Sequence, residues 1–150
     1  MLPNAVSTIA QTIQLSLSPV FMLAGISGLL NVLAGRLSRV IDRARALEAL
    51  HPSSTGPEHD RHVWELRLLA KRIVIINAAL FLAVSSAVMT CTVVALLFVA
   101  ELVDLQIGST VAIAFILAMG LLISSLVAFI IEVRGSLLAV RVRPELLEHK

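Results

Sequence analysis

The chain has 150 residues, of which 58% are hydrophobic and only 15% charged, with a mean hydropathy of +0.95. A soluble domain carries about a quarter charged residues, so this composition excludes an ordinary soluble globular domain. The net charge of +2 and isoelectric point near 9.3 do not point to nucleic acid. The basic residues cluster beside apolar runs, where membrane orientation accounts for them, and no nucleic-acid motif accompanies them.

No charged side chain occurs in residues 1–35, 73–100 or 105–131. About 20 apolar helical residues cross roughly 30 Å of hydrocarbon, so three spans are expected, at about 15–35, 73–100 and 107–131. The first residues carry no basic side chain, unlike a cleavable signal sequence, and the first span is expected to be retained. Ahead of it, Ser7, Gln11, Gln14 and Ser18 alternate with Val6, Ile9, Ile13 and Leu17 at helical spacing, which predicts a short amphipathic helix at the outer interface. Pro19 predicts a kink or a fresh helix start there.

No helix breaker separates the first span from residues 36–50, so one continuous helix should leave the membrane near Arg36. It should end before His51-Pro52-Ser-Ser-Thr-Gly-Pro57, a turn by composition. Residues 58–72 resume with helix formers and run straight into Ile73. A helix over 58–100 would measure roughly 60 Å, about twice the hydrocarbon thickness. The surplus of both helices predicts an antiparallel hairpin over 36–72. Residues 101–108 form a short turn at the other face. Residues 132–150 form a tail, opened by an exit helix that Pro144 stops. The fold class expected is all-α: an integral membrane three-helix bundle, in one membrane domain, with a cytoplasmic helical hairpin extending helices 1 and 2.

Residues 36–72 hold eight Lys and Arg, residues 133–150 hold four, and the 101–108 turn holds none. Basic residues in short loops remain cytoplasmic. The expected orientation is therefore N-terminus outside and C-terminus cytoplasmic in a cell inner membrane.

Lipid gives helices no hydrophobic reason to associate, so small residues that permit close approach mark packing faces. Ala79, Ala83, Ala87, Cys91 and Ala95 recur every fourth residue in span two. Gly120, Ser124 and Ala128 do so in span three, and Ala24 and Gly28 form a shorter pair in span one. These predict helix packing within one chain or between chains. Cys91, the single cysteine, reads as a small packing residue.

Span one carries polar groups on two sides. Gln11, Gln14, Ser18 and Gly25 share one; Ala24, Ser27 and Asn31 share the other. Polar groups facing lipid are costly, so Gln11, Gln14, Ser18, Ser27 and Asn31 are candidate pore or interface residues. With three spans, one chain cannot easily cover both sides, and span one is expected at the centre of a homo-oligomer, lining a pore or filling a solid core. Glu132 continues the Gly120, Ser124, Ala128 series and should point inward, at the depth of Arg36 and Arg72. An unpaired carboxylate there is costly, which predicts an ion pair between Glu132 and Arg72, with Arg36 close by.

The cluster Arg36, Arg39, Asp42, Arg43 and Arg45 mixes signs, and Asp42 can reach Arg39 or Arg45 at helical spacing. It reads as a solvated, positive-inside helix, or as a surface for anionic lipid or a cytoplasmic protein. The stretch Pro19-Val-Phe through Gly28-Leu-Leu-Asn, followed by Arg36-Leu-Ser-Arg-Val-Ile-Asp-Arg-Ala-Arg, resembles the bacterial membrane family catalogued as domain of unknown function 2721. That resemblance implies a multi-pass inner-membrane protein and carries no activity.

His51, Glu58, His59 and His62 lie close in sequence, but a metal site needs three or four converging ligands, and a solvated loop is expected instead. No nucleophile–base pair, phosphate loop or zinc-protease motif occurs. Ser85, Ser86 and Thr90 are expected to bond back to their own helix. The chain is read as non-enzymatic and without a cofactor. Two roles remain: an oligomeric channel, with Glu101 and Asp104 near its mouth and Arg36 at its inner end, or a non-conducting scaffold docking through the hairpin.

Overall fold

A computed structural model describes residues 2–50, 56–103 and 106–139. Three α-helices account for nearly all of them: α1, Leu2–Leu50; α2, Pro57–Val103; and α3, Gly108–Ala139. At 1.5 Å per residue they measure about 73, 70 and 48 Å. Each is long and apolar enough to cross a membrane. The expected all-α class and three helices are found. Pro144 and the end of the tail lie outside the described residues.

Pro19 lies inside α1 and no fresh helix starts there, and residues 4–17 are not a separate helix. Its ring is buried among the neighbouring helices. A proline removes one bond from the ladder, and in a 49-residue helix that loss is local.

The turn into α2 has a clear cause. Gly56 sits at φ 70°, a left-handed conformation that costs other L-residues roughly 1–2 kcal/mol. Its carbonyl accepts from the His59 backbone N–H at 3.0 Å. Pro57 follows as the first helical residue, where its missing N–H has no partner to lose. Nothing lies within 4 Å of a Cβ added at Gly56, so Gly56→Val should lose about 1–2 kcal/mol through backbone strain alone. A thermal melt of the purified variant checks this.

α2 is the middle helix and packs along both α1 and α3. Ser16 apart, the buried residues of α1 step by seven: Thr12, Pro19, Ile26, Leu33, Val40, Leu47. Those of α3 do the same: Val111, Ala118, Ser125, Glu132. α2, flanked on both sides, buries two such series: Leu69, Ile76, Ala83, Thr90, and Ala79, Ser86, Val93. A seven-residue step returns a side chain to within about 20° of the same direction, so these series form seams that drift only slowly around each helix. Leu33, Val40, Leu47, Leu69, Ile76 and Ala79 make one continuous cluster between α1 and α2.

The expected packing stripes differ from these seams. A four-residue step advances about 40° around a helix, so a stripe of fours winds off its face. Ala79 and Ala83 are fully buried and Ala87 half-buried, but Cys91 and Ala95 are exposed. Gly120 and Ser124 are likewise exposed, and Ala128 is half-buried, so the α3 packing face does not run through the first two.

Polarity is inverted relative to a soluble protein. Ser86, Thr90, Ser125 and Glu132 are buried, while Phe21, Val74, Phe81, Ile116 and Ile130 are exposed. Apolar exposure on this scale marks a surface made for an apolar surrounding.

Candidate functional site

The most organised polar site lies where the three helices meet near the start of the charged segments. The Glu132 side chain on α3 is completely shielded from solvent. Arg36 Nη1 of α1 donates to its Oε2 at 2.9 Å, and Arg72 Nη2 of α2 donates to its Oε1 at 2.8 Å. The Ser136 hydroxyl, one turn on, lies 2.8 Å from Oε1 and 3.0 Å from the Glu132 carbonyl. Below, the Arg36 guanidinium sits 5.2 Å from the centre of the Phe129 ring, a distance at which a cation is attracted to the π face. Two guanidiniums share one carboxylate, leaving one excess positive charge. Arg72 Nε is buried without a partner. The structure thus brings Glu132 to both Arg72 and Arg36. Stepping by fours from Gly120 turns gradually inward, which is why Glu132 is enclosed although Gly120 and Ser124 are not.

From this triad a hydroxyl ladder runs up the α2–α3 seam. Ser125 Oγ of α3 donates to the Ala79 carbonyl of α2 at 2.7 Å, and Ser86 Oγ of α2 donates to the Ala118 carbonyl of α3 at 2.7 Å. Each step of seven up α2, from Arg72 through Ala79 and Ser86, meets a step of seven down α3, from Glu132 through Ser125 and Ala118. The next step on each helix reaches Val93 and Val111, both buried. A helical carbonyl keeps a second lone pair after its own ladder bond, and alanine beside it leaves room for the hydroxyl. Ser86 therefore bonds across to α3, not back along its helix as expected. Thr90 and Ser124 do bond back, to Ser86 and Gly120, each at 2.8 Å. The seven-residue recurrence of Val, Ala, Ser and Glu at 111–132 was the signal available for this seam.

Gln11, Gln14, Ser18, Ser27 and Asn31 are all exposed on the single chain. Nothing approaches within 4 Å of a Cβ placed on Gly25, Gly28 or Gly35 of the same helix. α1 therefore buries a narrow seam against α2, Thr12 and Ser16 included, and leaves these five polar side chains and three glycines open. Near the far end, the Thr12 hydroxyl of α1 donates to Glu101 Oε2 of α2 at 3.3 Å. Asp104 lies outside the described residues.

Along the hairpin, Arg43 reaches across from α1 to α2, its Nε and Nη2 donating to Glu65 Oε1 at 3.0 and 2.8 Å. Glu65 was not singled out from the sequence, because the register between two helices is set by their packing. Arg39 and Arg45 are exposed. Asp42 is approached by Ser38 Oγ at 3.5 Å, not by either expected arginine. His51 lies outside the described residues, and no cluster of three or more potential metal ligands occurs among those described.

Residues 16–142 match the family described as Protein of unknown function (DUF2721). No curated protein and no solved structure matches the chain. The family match covers the buried seams of all three helices except Thr12, and the Arg36, Arg72 and Glu132 triad. The chain belongs to this DUF2721 family of proteins of unknown function.

Proposed function

We propose that the protein is a multi-pass membrane protein of a bacterial inner membrane that self-associates through α1 and encloses a permeation path. Its N-terminus lies outside, and the hairpin over 36–72 and its C-terminus lie in the cytoplasm. The observation that carries the proposal is the polar groups left uncovered on two sides of α1. Gln11, Gln14, Ser18, Ser27 and Asn31 are exposed on one chain, among large exposed apolar side chains such as Leu15 and Phe21. Polar side chains facing hydrocarbon are costly, and a second copy or an aqueous path removes that cost. The role is non-catalytic and needs no cofactor.

A second reading has its own support. Arg39, Asp42 and Arg45 are exposed on the hairpin, which suits a scaffold that binds a cytoplasmic protein and conducts nothing.

Native mass spectrometry from lipid nanodiscs separates the two. A ring of four or more subunits supports the path, and Asn31→Leu should then change conductance in planar bilayers. A monomer or dimer leaves α1 nothing to enclose and favours the scaffold. Gly28→Leu, at an exposed position where an added Cβ meets nothing within 4 Å, should keep the thermal melt unchanged and shift the ring toward monomer. Reporter fusions at His51 and Gln106 check the orientation: a cytoplasmic signal at Gln106 alone overturns it.

A further inference from the structure

We propose that the exposed side of α2 at the base of the hairpin binds an anionic phospholipid of the inner leaflet, its phosphate on Lys71 and Arg67. The inference rests on the membrane orientation proposed above. Arg36 and Arg72 are committed to Glu132, and Arg43 to Glu65. Like Arg39 and Arg45 of α1, Lys71 and Arg67 of α2 are exposed with no acidic partner among the described residues.

What sets these two apart from other exposed cations is the surface they continue. Residues three and four apart share a helix face, and the series Arg67, Lys71, Val74, Ala78, Phe81 follows that spacing. Val74 and Phe81 are 67% and 72% exposed, so this is a lipid-facing side that turns basic as it leaves the apolar segment. Two shallow grooves lie along it and meet at Val74. One, of about 410 Å³, includes Ala70 and Lys71. The other, of about 600 Å³, includes Asn77, Ala78 and Phe81. The walls are apolar, as an acyl chain requires, and Asn77 is the amide beside that path, placed to donate to an ester carbonyl.

The depth also fits. Lys71 stands about 4.5 Å and Arg67 about 10 Å beyond Val74 along the helix. The headgroup layer occupies roughly 5–8 Å outside the hydrocarbon on each side, within reach of both flexible stems. Trp64 lies on the same face two turns beyond Lys71, exposed. Asp60, the acid on this face, is a further turn out, about 16 Å from Lys71 along the helix. An acidic cytoplasmic protein would match the cations but not the apolar grooves that begin beside them.

The test is native mass spectrometry of the full chain reconstituted with phosphatidylglycerol and phosphatidylcholine. Wild type should keep phosphatidylglycerol at collision energies that strip phosphatidylcholine. Arg67→Gln/Lys71→Gln should lower that retention about thirtyfold, the effect of two surface cations. Arg134→Gln, an exposed cation on α3, should leave it unchanged. Equal retention by wild type and the double variant, or no preference for phosphatidylglycerol, overturns the inference while the membrane reading stands. A chain recovered outside the vesicles after a carbonate wash overturns both. Far-UV circular dichroism confirms that the double variant retains its helices.

Discussion

Replacing Arg36 and Arg72 together by methionine, with Glu132 intact, is expected to cost about 3–5 kcal/mol, the range for stranding a buried charge. The reason is an asymmetry in burial. The Glu132 side chain has no solvent exposure, whereas those of Arg36 and Arg72 are 35% and 29% exposed. Without its cations the carboxylate has only Ser136 and no route to water. Glu132→Gln strands the opposite charges, but these partly exposed guanidiniums can turn outward, and Arg36 keeps Phe129. That change should cost only about 1–2 kcal/mol, because solvent screens what is lost. Adding Glu132→Gln to the double variant should recover most of the stability, since removing a whole buried pair is often nearly neutral. Denaturing-detergent titration in mixed micelles, followed by circular dichroism, gives the order. If Glu132→Gln proves more damaging than the double arginine variant, the carboxylate is not the trapped member.

Ala83→Phe should be the most damaging single change along the α2 seams, with Ala79→Phe close behind. Both alanines have no exposure. Ala79 packs in the core cluster, and its carbonyl accepts the Ser125 hydroxyl. A benzyl group at either site must push neighbouring helices apart, and overpacking of this kind costs about 1–3 kcal/mol or more. At Ala79 it also displaces an interhelical hydroxyl bond worth about 0.6 kcal/mol in a membrane. Gly120→Phe is the informative contrast, because nothing lies within 4 Å of a Cβ added there. It should leave the thermal melt of the chain unchanged. A loss of assembly with Gly120→Phe therefore reports on contacts between chains, whereas the same loss with Ala83→Phe reports on the subunit's own fold. Thermal melts paired with size-exclusion chromatography distinguish the two. An Ala83→Phe chain that melts like wild type would show that this seam opens without penalty.

That three long apolar helices form, with the first two running past their charge-free segments, could be read from the sequence because it follows from local properties. A charge-free run of more than twenty residues has few alternatives to a long helix, and Gly56-Pro57 stops and restarts a chain through backbone geometry alone. The family could also be read locally, from the Arg36 to Arg45 run. Pro19 shows the limit of such reasoning, since a proline costs one bond of the ladder and a long helix can continue through it. Ser86 shows another: its hydroxyl could satisfy its own helix or the next, and the approach of Ala118 selects the next.

Three apolar helices, their antiparallel order and the presence of a carboxylate at the end of the third were thus contained in the amino-acid order, because hydropathy and turn chemistry act within a few residues. The phase of each helix was not. A shift of one residue rotates a face by about 100°, and small-residue stripes at fours and seams at sevens coincide for only one or two turns before diverging. Contact between the helices chose the sevens, placed α2 in the middle and joined Arg36, Arg72 and Glu132 across stretches of 36, 60 and 96 residues. It also left polar groups on two sides of α1 uncovered, a property that exists only once the buried side has been assigned.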